Sequence, residues 1–434
     1  MIIGSMHPEF AVRVDEWSRA RDVLAGEDAV KAAGVKYLPR LDSQSDEEYG
    51  AYKARASFLG ATSRTLEEYL DLVFRKAPVA CLDGCADGLR AFVSDCDLWG
   101  MDFGRYARRV VGEVLAVGRA GSLVLWDGAG RAWASLWRAE DIVDWAVERI
   151  GERSTLVRVV LRDEGRLRMF RVEDGACLQE LWERAGNGWL LVERATMKRE
   201  SVPVGFIPFV FHGAGHSRPE PDALPLGDII VTNLDHYRLD ADYKHGLHFA
   251  ALPTAWVTGF DKASPLRIGS STAWVSEIPG AAAGFLEFTG AGMAYIERAM
   301  ERVERRLALL GARMLEAGGS DGSEPGQGVE LCGLGNVVAS VNQSLTRVLH
   351  VARWWIDGTE PGGLGQVSFT MNTDLSSKAL SAEQLSALVA AWRAGAFSRD
   401  SLLAAFKRGE VLPDGRTVAQ EKALIHRVSG ALVG

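Results

Sequence analysis

Residues 225–259 read PLGDIIVTNLDHYRLDADYKHGLHFAALPTAWVTG, and they predict a long helix that leads into a short strand. Pro225 suits the first turn of a helix, and Asp228 puts a carboxylate near the positive end of the helix dipole. Apolar side chains then recur at helical spacing: Leu226, Ile230, Leu234, Tyr237, Ala241 and Leu247. Pro253 ends the helix, because the residue before a proline is disfavoured in the α region. Residues 254–258 are mostly β-branched or aromatic and predict a strand.

A second long helix follows, with the most regular apolar pattern in the chain. Its apolar residues recur in alternating steps of three and four: Met293, Ile296, Met300, Val303, Leu307, Leu310 and Met314. Such a heptad seam is typical of a helix that packs along a partner. Two interpretations fit the spacing equally. The helix faces an ordinary core, or it packs against the returning first helix and against another subunit.

The segment between these helices predicts a small β unit. Residues 254–258, 272–275 and 285–288 each have strand character and are separated by Gly, Pro and Ser. A β unit of about 40 residues has too small a core to be stable alone. We call residues 225–317 the arm. Because such an arm buries little of itself, we expect neighbouring copies of the chain to cover it.

The sequence before the arm predicts helices followed by hairpins, and hence an α+β fold. Residues 7–117 are mainly helical, and Thr65 with Glu68 three residues later predicts a capping box at a helix start. Between residues 121 and 211, short β-branched and aromatic runs alternate with glycines. This pattern favours antiparallel strands joined by tight turns.

The sequence after the arm begins with a Gly-rich segment, residues 318–328, which is too polar to pack. It does not have the Gly-Lys-Ser/Thr ending of a phosphate-binding loop. Residues 337–355 predict a helix and residues 367–371 a strand. Three further helices are predicted near the C-terminus: 381–394, 399–407 and 420–428.

Composition restricts the class of protein. Of 434 residues, 47% are apolar and 24% charged, which is typical of globular proteins. No apolar run approaches the roughly 18 residues that cross a bilayer, and no secretory signal follows Met1, so we expect a protein of the cytoplasm. The number of cysteines is small and odd, which favours reduced thiols over disulfides or a zinc site: Cys81, Cys85, Cys96, Cys177 and Cys332.

The net charge of −8 disfavours tight, non-specific binding to nucleic acid, which depends on Lys and Arg neutralising phosphates. It is compatible with a protein along which DNA has to slide. No Gly-x-Ser-x-Gly, His-Glu-x-x-His or dinucleotide-binding glycine pattern appears, so the sequence predicts no enzyme, no cofactor and no metal site. One alternative stays open: a metal-dependent hydrolase that uses the His- and Asp-rich helix 235–248.

Several stretches, taken in order, resemble the portal proteins of tailed bacteriophages, in particular a portal subgroup catalogued as a domain of unknown function. The matching stretches are YLP at 37–39, YKARA at 52–56, TSRT at 62–65, VFRKAP at 73–78, IPFV at 207–210 and the run from LGDI at 226 to VTG at 259. The resemblance covers most of residues 7–356. The Gly-rich segment 318–328 departs from it, because it replaces the continuation of the second long helix.

The resemblance implies a fold with an α/β wing, a two-helix stem, a small β clip and a helical crown. The wing corresponds to residues 1–224, the stem helices to 225–250 and 292–317, and the clip to 251–291. Residues 318–374 correspond to a channel loop and a helix that returns to the wing, and residues 375–434 to the crown. The glycines of the channel loop are Gly318, Gly319, Gly322, Gly326 and Gly328.

The resemblance also implies a function without catalysis. Portal proteins form a ring of about twelve identical copies at one vertex of the capsid, assembled in the host cytoplasm. Double-stranded DNA passes through the ring during packaging and ejection. The expected partners are the terminase large subunit, the major capsid and scaffolding proteins and the head-completion or adaptor proteins, with no membrane. Another structural neck or adaptor protein of a phage is a second alternative.

Two groups of residues are candidate sites. The candidates for the DNA channel are Arg298, Arg302, Arg305, Arg306, Lys262 and Arg267. Helical arginines of this kind contact the phosphate backbone rather than bases, although interleaved glutamates also fit a solvated face or bridges between subunits. The candidates for the subunit interface are Trp256, Trp274, Asp235, His236, Asp242 and His245, because large aromatic and paired polar side chains suit interfaces.

Overall fold

The fold was analysed on a computed structural model. It describes residues 4–251, 254–260, 274, 277–286, 292–316, 333–359, 367–373, 382–408, 411–412 and 418–431. Helices and antiparallel strands both occur in large numbers and in separate runs along the chain, so the predicted α+β class is confirmed.

The N-terminal part is helical, with one short strand. In chain order the elements are α1 (Pro8–Ala25), α2 (Glu27–Ala32), α3 (Asp46–Arg55), α4 (Ala61–Val73), β1 (Val79–Leu82), α5 (Asp87–Ser94) and α6 (Phe103–Val117). The faces of these helices that carry Trp17, Tyr52, Tyr69 and Tyr106 are buried in one continuous core.

The predicted capping box at Thr65 and Glu68 is wrong. The helix begins one turn earlier, at Ala61, and the Thr65 hydroxyl donates to the Ala61 carbonyl inside the helix. A capping box does occur at α3, where Ser45 and Glu48 each accept a hydrogen bond from the other's backbone N–H. The Ser/Thr-x-x-Glu pattern is present both at Thr65 and at Ser45. At α4, however, Thr62 and Tyr69 are buried against the core, which favours a helix that starts before Thr65.

The β-rich part forms two main antiparallel sheets. Its strands are β2 (Arg119–Trp126), β3 (Ala132–Arg138), β4 (Ile142–Ile150), β5 (Arg153–Asp163), β6 (Arg166–Glu173), β7 (Ala176–Ala185), β8 (Gly188–Thr196), β9 (Lys198–Arg199), β10 (Val202–Pro203) and β11 (Phe209–Gly213). Strands β4 to β8 form a five-stranded meander in sequence order, whereas β11, β2 and β3 form a three-stranded sheet with β2 in the centre. The strands between residues 119 and 213 are joined antiparallel, and the sequence did not predict β3, β7, β9 or β10.

The arm contains α7 (Gly227–Ala251), β12 (Thr254–Thr258), β13 (Ala282–Leu286) and α8 (Met293–Glu316). After the arm come α9 (Leu334–Asp357), β14 (Val367–Thr370), α10 (Ala382–Arg393), α11 (Arg399–Arg408) and α12 (Val418–Ala431). The two long helices and the three C-terminal helices lie close to their predicted bounds. Among the described helices, none is both long and apolar enough to span a membrane.

Helix α9 returns the chain to the body and completes its core. It packs against β2, β11, β14, α5 and α6, and its buried residues include Val341, Leu345 and Trp355. The Trp355 indole donates to the Val124 carbonyl of the central strand. Strand β14 then pairs antiparallel with β1, so residues 367–370 close against residues 79–82.

A buried cation lies inside the body. The Arg119 guanidinium is 1% exposed and lies 3.9 Å from the Trp145 ring centroid and 5.0 Å from that of Phe211. Its nitrogens have no hydrogen-bond partner in the part of the chain that the structure describes. Burial lowers the pKa of Arg119 to about 9. The two ring faces stabilise the cation in place of a carboxylate.

A buried histidine links three elements of the body. His212 on β11 lies 2.6 Å from the Ser122 hydroxyl of β2 and 2.6 Å from the Ser344 hydroxyl of α9, and Tyr106 reaches Ser122 at 2.6 Å. Because Ser344 donates to the Val341 carbonyl, it accepts from Nδ1–H of His212. Nε2 then accepts from Ser122, which accepts from Tyr106. Every donor in this set of four side chains is used when His212 is neutral.

We expect His212 to make the protein sensitive to mild acid. Burial lowers the pKa of His212 to about 3, below its value in an unfolded chain. The unfolded state therefore takes up a proton as the pH falls through about 6.5 and the folded state does not, so the free energy of unfolding decreases below that pH. The expected loss between about pH 7 and 5 is roughly 2 kcal/mol.

Urea unfolding of the wild type and of His212→Gln at both pH values measures this loss. Glutamine stays neutral, so the variant starts less stable but loses about 2 kcal/mol less between the two pH values. The same loss in both proteins would show that His212 does not titrate on unfolding. All other titratable groups are shared, so the comparison isolates this imidazole.

Candidate subunit interface and DNA-channel surface

The two long helices of the arm run antiparallel and pack along each other. Nε2 of His236 on α7 lies 3.1 Å from a carboxylate oxygen of Glu304 on α8. Ten residues further along α7, Gly246 faces Met293, and a Cβ at Gly246 would lie 2.5 Å from the Met293 sulfur. Glycine thus lets the two helices approach closely near the β unit.

The seam of α8 is buried unevenly. Near the body, Leu307, Leu310 and Met314 are all less than 9% exposed. Toward the β unit, the remaining seam residues are only partly buried: Met293, Ile296, Met300 and Val303. The part of the seam near the body therefore faces a core within the chain, as the first interpretation predicts. The part toward the β unit lies beside α7 and is only partly buried. Its packing against another subunit stays a prediction.

The base of α7 is fixed to the body by buried and half-buried polar contacts. The Asp240 carboxylate accepts from the backbone N–H of Ser57 at 2.6 Å and from the Lys244 ammonium at 3.1 Å. Asp242 accepts from the Tyr52 hydroxyl at 2.6 Å. Asn233 donates to the Thr62 hydroxyl of α4, and both residues are fully buried. Helix α7 is thus attached to the body from Asn233 to Asp242.

The polar interface candidates of α7 have partners within the chain. Asp235 pairs with Arg238 at 2.8 Å, and His236, only 6% exposed, contacts Glu304. Nδ1 of His245 lies 3.2 Å from the Arg55 guanidinium, and burial, followed by Arg55, lowers the pKa of His245. Asp235 and Asp242 keep exposed surface, whereas His236 offers little to another copy.

These residues do not converge on one point. Asp235, His236, Asp242 and His245 each contact a different residue, on helices that include α3 and α8. Within the described part of the chain, no group of three His, Cys, Asp or Glu side chains is placed to hold a metal ion. The arrangement gives no support to a hydrolase built on this helix.

The four arginines of α8 are all exposed. Nε of Arg305 donates to the Glu301 carbonyl, and none of the four forms an ion pair within the described residues. With about 100° per residue, Arg298, Arg302 and Arg305 lie roughly opposite the seam, whereas the glutamates lie beside it. The helix thus has a basic stripe and a separate acidic edge formed by Glu297, Glu301 and Glu304. Among the described residues, these glutamates and arginines form no ion pair with one another, which fits the solvated face that the sequence also allows.

Exposed apolar residues interrupt the basic stripe. Tyr295 is 73% exposed and Leu309 is 50% exposed, and both share the stripe at heptad spacing. On the outer side of α7, Val231 is 46% exposed between two aspartates. Sequence reasoning did not single out these three residues, although a search for a second heptad pattern on each helix would have found them.

The described part of the β unit is a two-stranded hairpin. In β12 and β13, Trp256 lies opposite Gly284 and Ala255 lies opposite Phe285. Directly paired residues share a face, so Trp256 and Phe285 point to opposite faces of the hairpin. Trp256 is 46% exposed and Phe285 54% exposed. Each face therefore presents one large aromatic side chain.

Several predicted site residues lie outside the described residues. They are Lys262, Arg267 and the five loop glycines Gly318, Gly319, Gly322, Gly326 and Gly328. The same holds for most of the strand predicted at 272–275, in which only Trp274 is described, and it is half-buried. Of the strand predicted at 285–288, residues 285 and 286 belong to β13.

Comparison with known proteins gives two findings. The family described as "Domain of unknown function (DUF4055)" matches residues 225–356, which contain the arm and nearly all of α9. The match covers less than half of the chain. No curated protein matches the chain.

Two solved structures with a similar chain are of gene transfer agent particles. The chain is similar to one in "Virion of native gene transfer agent (GTA) particle", at 15% identity and a TM-score of 0.41, over 87% of this chain and 97% of that chain. It is also similar to one in "Neck of native GTA particle computed with C12 symmetry", at 13% identity and a TM-score of 0.40, over 86% and 96%. With TM-scores this low, the likeness carries no argument about function.

We expect the attachment of α7 to depend on Asp240 more than on its exposed neighbour Asp235. Asp240→Ala removes a buried carboxylate that accepts from the Ser57 N–H and from Lys244, and loss of a hydrogen bond to a charged group costs about 1.5–3 kcal/mol of unfolding free energy. Asp235→Ala removes a half-exposed ion pair and costs about 0–1 kcal/mol. Urea unfolding measures both, and equal losses would contradict the contact at Ser57.

Proposed function

We propose that the chain is a structural protein of a tailed phage or phage-like particle, and specifically its portal: a closed ring of identical copies through which double-stranded DNA passes. The proposal places it in the virion, at one capsid vertex. The terminase large subunit, the capsid and scaffolding proteins and the head-completion proteins would contact the ring. The resemblance in sequence between residues 37 and 259 supports this assignment.

The observation that carries the proposal is the hairpin at the end of the arm. A two-stranded hairpin is marginally stable in water, and this one exposes Trp256 on one face and Phe285 on the other. One partner would cover one face only. In a closed ring each hairpin lies between two neighbours, so both faces are covered by the same repeated contact.

The arm supports the same assembly. The described residues of the arm form two paired helices and a hairpin. Helix α7 contacts the body as far as His245, and α8 is buried near the body at Leu307, Leu310 and Met314. The upper seam of α8 and the outer stripes of both helices keep apolar surface in contact with solvent. In a closed ring a neighbouring copy would cover these apolar residues.

The charge of the chain suits passage rather than capture of DNA. A net charge of −8 limits the number of simultaneous phosphate contacts, and such contacts would slow a sliding duplex. Lys262, Arg267 and Arg306 remain candidates for transient contacts with the phosphate backbone, and the Gly-rich segment 318–328 remains the candidate loop at the channel.

We expect the purified chain to form rings. Negative-stain imaging should show particles with a central opening wide enough for duplex DNA, and mass photometry should show one dominant closed oligomer of about twelve copies. A chain that stays monomeric up to a concentration of about 100 µM, or that forms open filaments, would contradict the proposal.

The double variant Trp256→Ser, Phe285→Ser should lower the fraction of rings at least tenfold, because truncating large interface aromatics costs about 1–2 kcal/mol or more each. The matched control is Thr258→Ser, an exposed position on the same strand. Rings in equal amount for both variants would show that the hairpin faces are not subunit contacts.

A further inference from the structure

The outer side of each arm helix carries a second heptad stripe. On α7 the stripe is Asp228, Val231, Asp235, Arg238 and Asp242. On α8 it is Tyr295, Arg298, Arg302, Arg305 and Leu309. Each stripe repeats in alternating steps of three and four residues, which is the spacing of a helix–helix contact. The α7 stripe is mainly acidic and the α8 stripe mainly basic, so they are complementary in charge.

Both stripes keep solvent-exposed surface. All five residues of the α8 stripe are exposed. On α7, Asp228, Val231 and Asp242 are exposed, and the Asp235 side chain is 46% exposed. Asp242 accepts from the Tyr52 hydroxyl of the body and still has carboxylate surface open to a second donor. The apolar members, Tyr295, Leu309 and Val231, are 73%, 50% and 46% exposed between charged residues.

The contact between His236 and Glu304 fixes the relative heights of the two stripes. Antiparallel helices rise equally per residue, about 1.5 Å. Asp242 lies six residues from His236 toward the hairpin, and Arg298 lies six residues from Glu304 in the same direction. Both are thus about 9 Å above that contact, and the two residues are level with each other.

Two further pairs are level by the same reasoning. Asp235 and Arg305 each lie one residue below the contact, and Val231 and Leu309 each lie five residues below it. The heights therefore match acid with base at two positions and apolar with apolar at a third. Arg238 and Arg302 are also level, but Arg238 donates to the Tyr37 carbonyl and to Asp235 within its own chain, so its charge is partly neutralised there. The Asp235 side chain, 46% exposed, can accept from Arg305 of a neighbour as well as from Arg238.

Ring symmetry converts these heights into contacts between copies. A closed cyclic ring relates neighbours by rotation without a shift along the axis. Residues that are level within one arm are then level between neighbouring arms, provided that the helices run close to the axis. We propose that the α7 stripe of one copy docks on the α8 stripe of the next, with Asp242 facing Arg298, Asp235 facing Arg305 and Val231 facing Leu309. This inference rests on the proposed ring.

The same stripe is a poor surface for DNA. A phosphate-binding face carries positive and hydrogen-bonding groups, whereas Tyr295 and Leu309 interrupt this one with apolar surface. The α7 stripe is acidic and would repel phosphate. Arg298, Arg302 and Arg305, which the sequence offered as channel residues, are thereby assigned to a contact between copies of the chain.

Cross-linking between two variants with one introduced cysteine each tests the register. Asp235→Cys and Arg305→Cys chains with different tags are co-expressed in a background in which Cys81, Cys85 and Cys332 are replaced by serine and the buried Cys96 and Cys177 are kept. Because each cysteine is on a different chain, a disulfide that joins the two tags forms only between copies. Asp235→Cys with Arg298→Cys is the matched control, with the second cysteine about 10 Å higher, beyond disulfide reach.

We expect the level pair to form the mixed disulfide at least tenfold faster than the control pair. Equal rates, or a faster control, would overturn the register. Wild-type rings without a fast level pair would overturn this inference and leave the proposed function intact. Loss of wild-type rings themselves would overturn both.

Charge reversal tests the ionic part of the contact. Asp235→Arg or Arg305→Asp alone places like charges at the same height, and each should lower the fraction of rings at least tenfold. The double variant restores opposite charges and should recover rings to within about threefold of the wild type. A double variant as impaired as the product of the two singles would overturn the pairing.

Discussion

The antiparallel contact between α7 and α8 is the constraint on which the arm depends. Each helix can turn only one face toward the other, and each has apolar or charge-patterned residues on more than one face. Packing inside one chain therefore satisfies the seam of α8 near the body, where Leu307 and Leu310 are buried, and leaves the other faces in solvent. Because these solvent-exposed faces carry apolar and charged residues in a regular pattern, we expect a second copy of the chain to cover them.

The body of the protein provides the rigid support that such an arm needs. Helix α9 passes through its core, and the buried set of Tyr106, Ser122, His212 and Ser344 joins α6, β2, β11 and α9 with every donor used. A fully satisfied polar network in a low-dielectric core admits few alternative arrangements. Arg119, held between two aromatic faces, is a second specific feature of the same core.

Periodicity made the arm predictable from sequence. The heptad of α8 and the proline after α7 fixed both helices to within a few residues, because long helices repeat one signal many times. The capping box at Thr65 was a single local signal, and burial of the preceding turn overrode it. Strands β3 and β7 were missed because β3 has Ser135 among its apolar residues and ends at Arg138, and β7 carries Glu180 and Glu183 among its apolar residues.

The site was predicted less well than the fold. Charge identified the arginines of α8, but not the separation of basic and acidic residues onto different sides, which follows only from the helical geometry. The sequence makes His236 a candidate for the subunit interface, whereas its side chain is 6% exposed and contacts Glu304 of the neighbouring helix in its own chain. The sequence alone does not show which residues of α7 and α8 lie at the same height along the arm. Those heights follow once one contact between the two helices, His236 with Glu304, is known.

Helix α4 is hydrogen-bonded to both long helices of the arm, near the body. Thr62 accepts from Asn233 of α7, and the Tyr69 hydroxyl donates to the Gly311 carbonyl of α8 at 2.7 Å. A load applied at the hairpin is therefore shared by two attachments, one on each long helix. Bonds loaded in parallel share a force, whereas bonds loaded in series break one at a time, so the double attachment to α4 makes the arm harder to detach than a single one would.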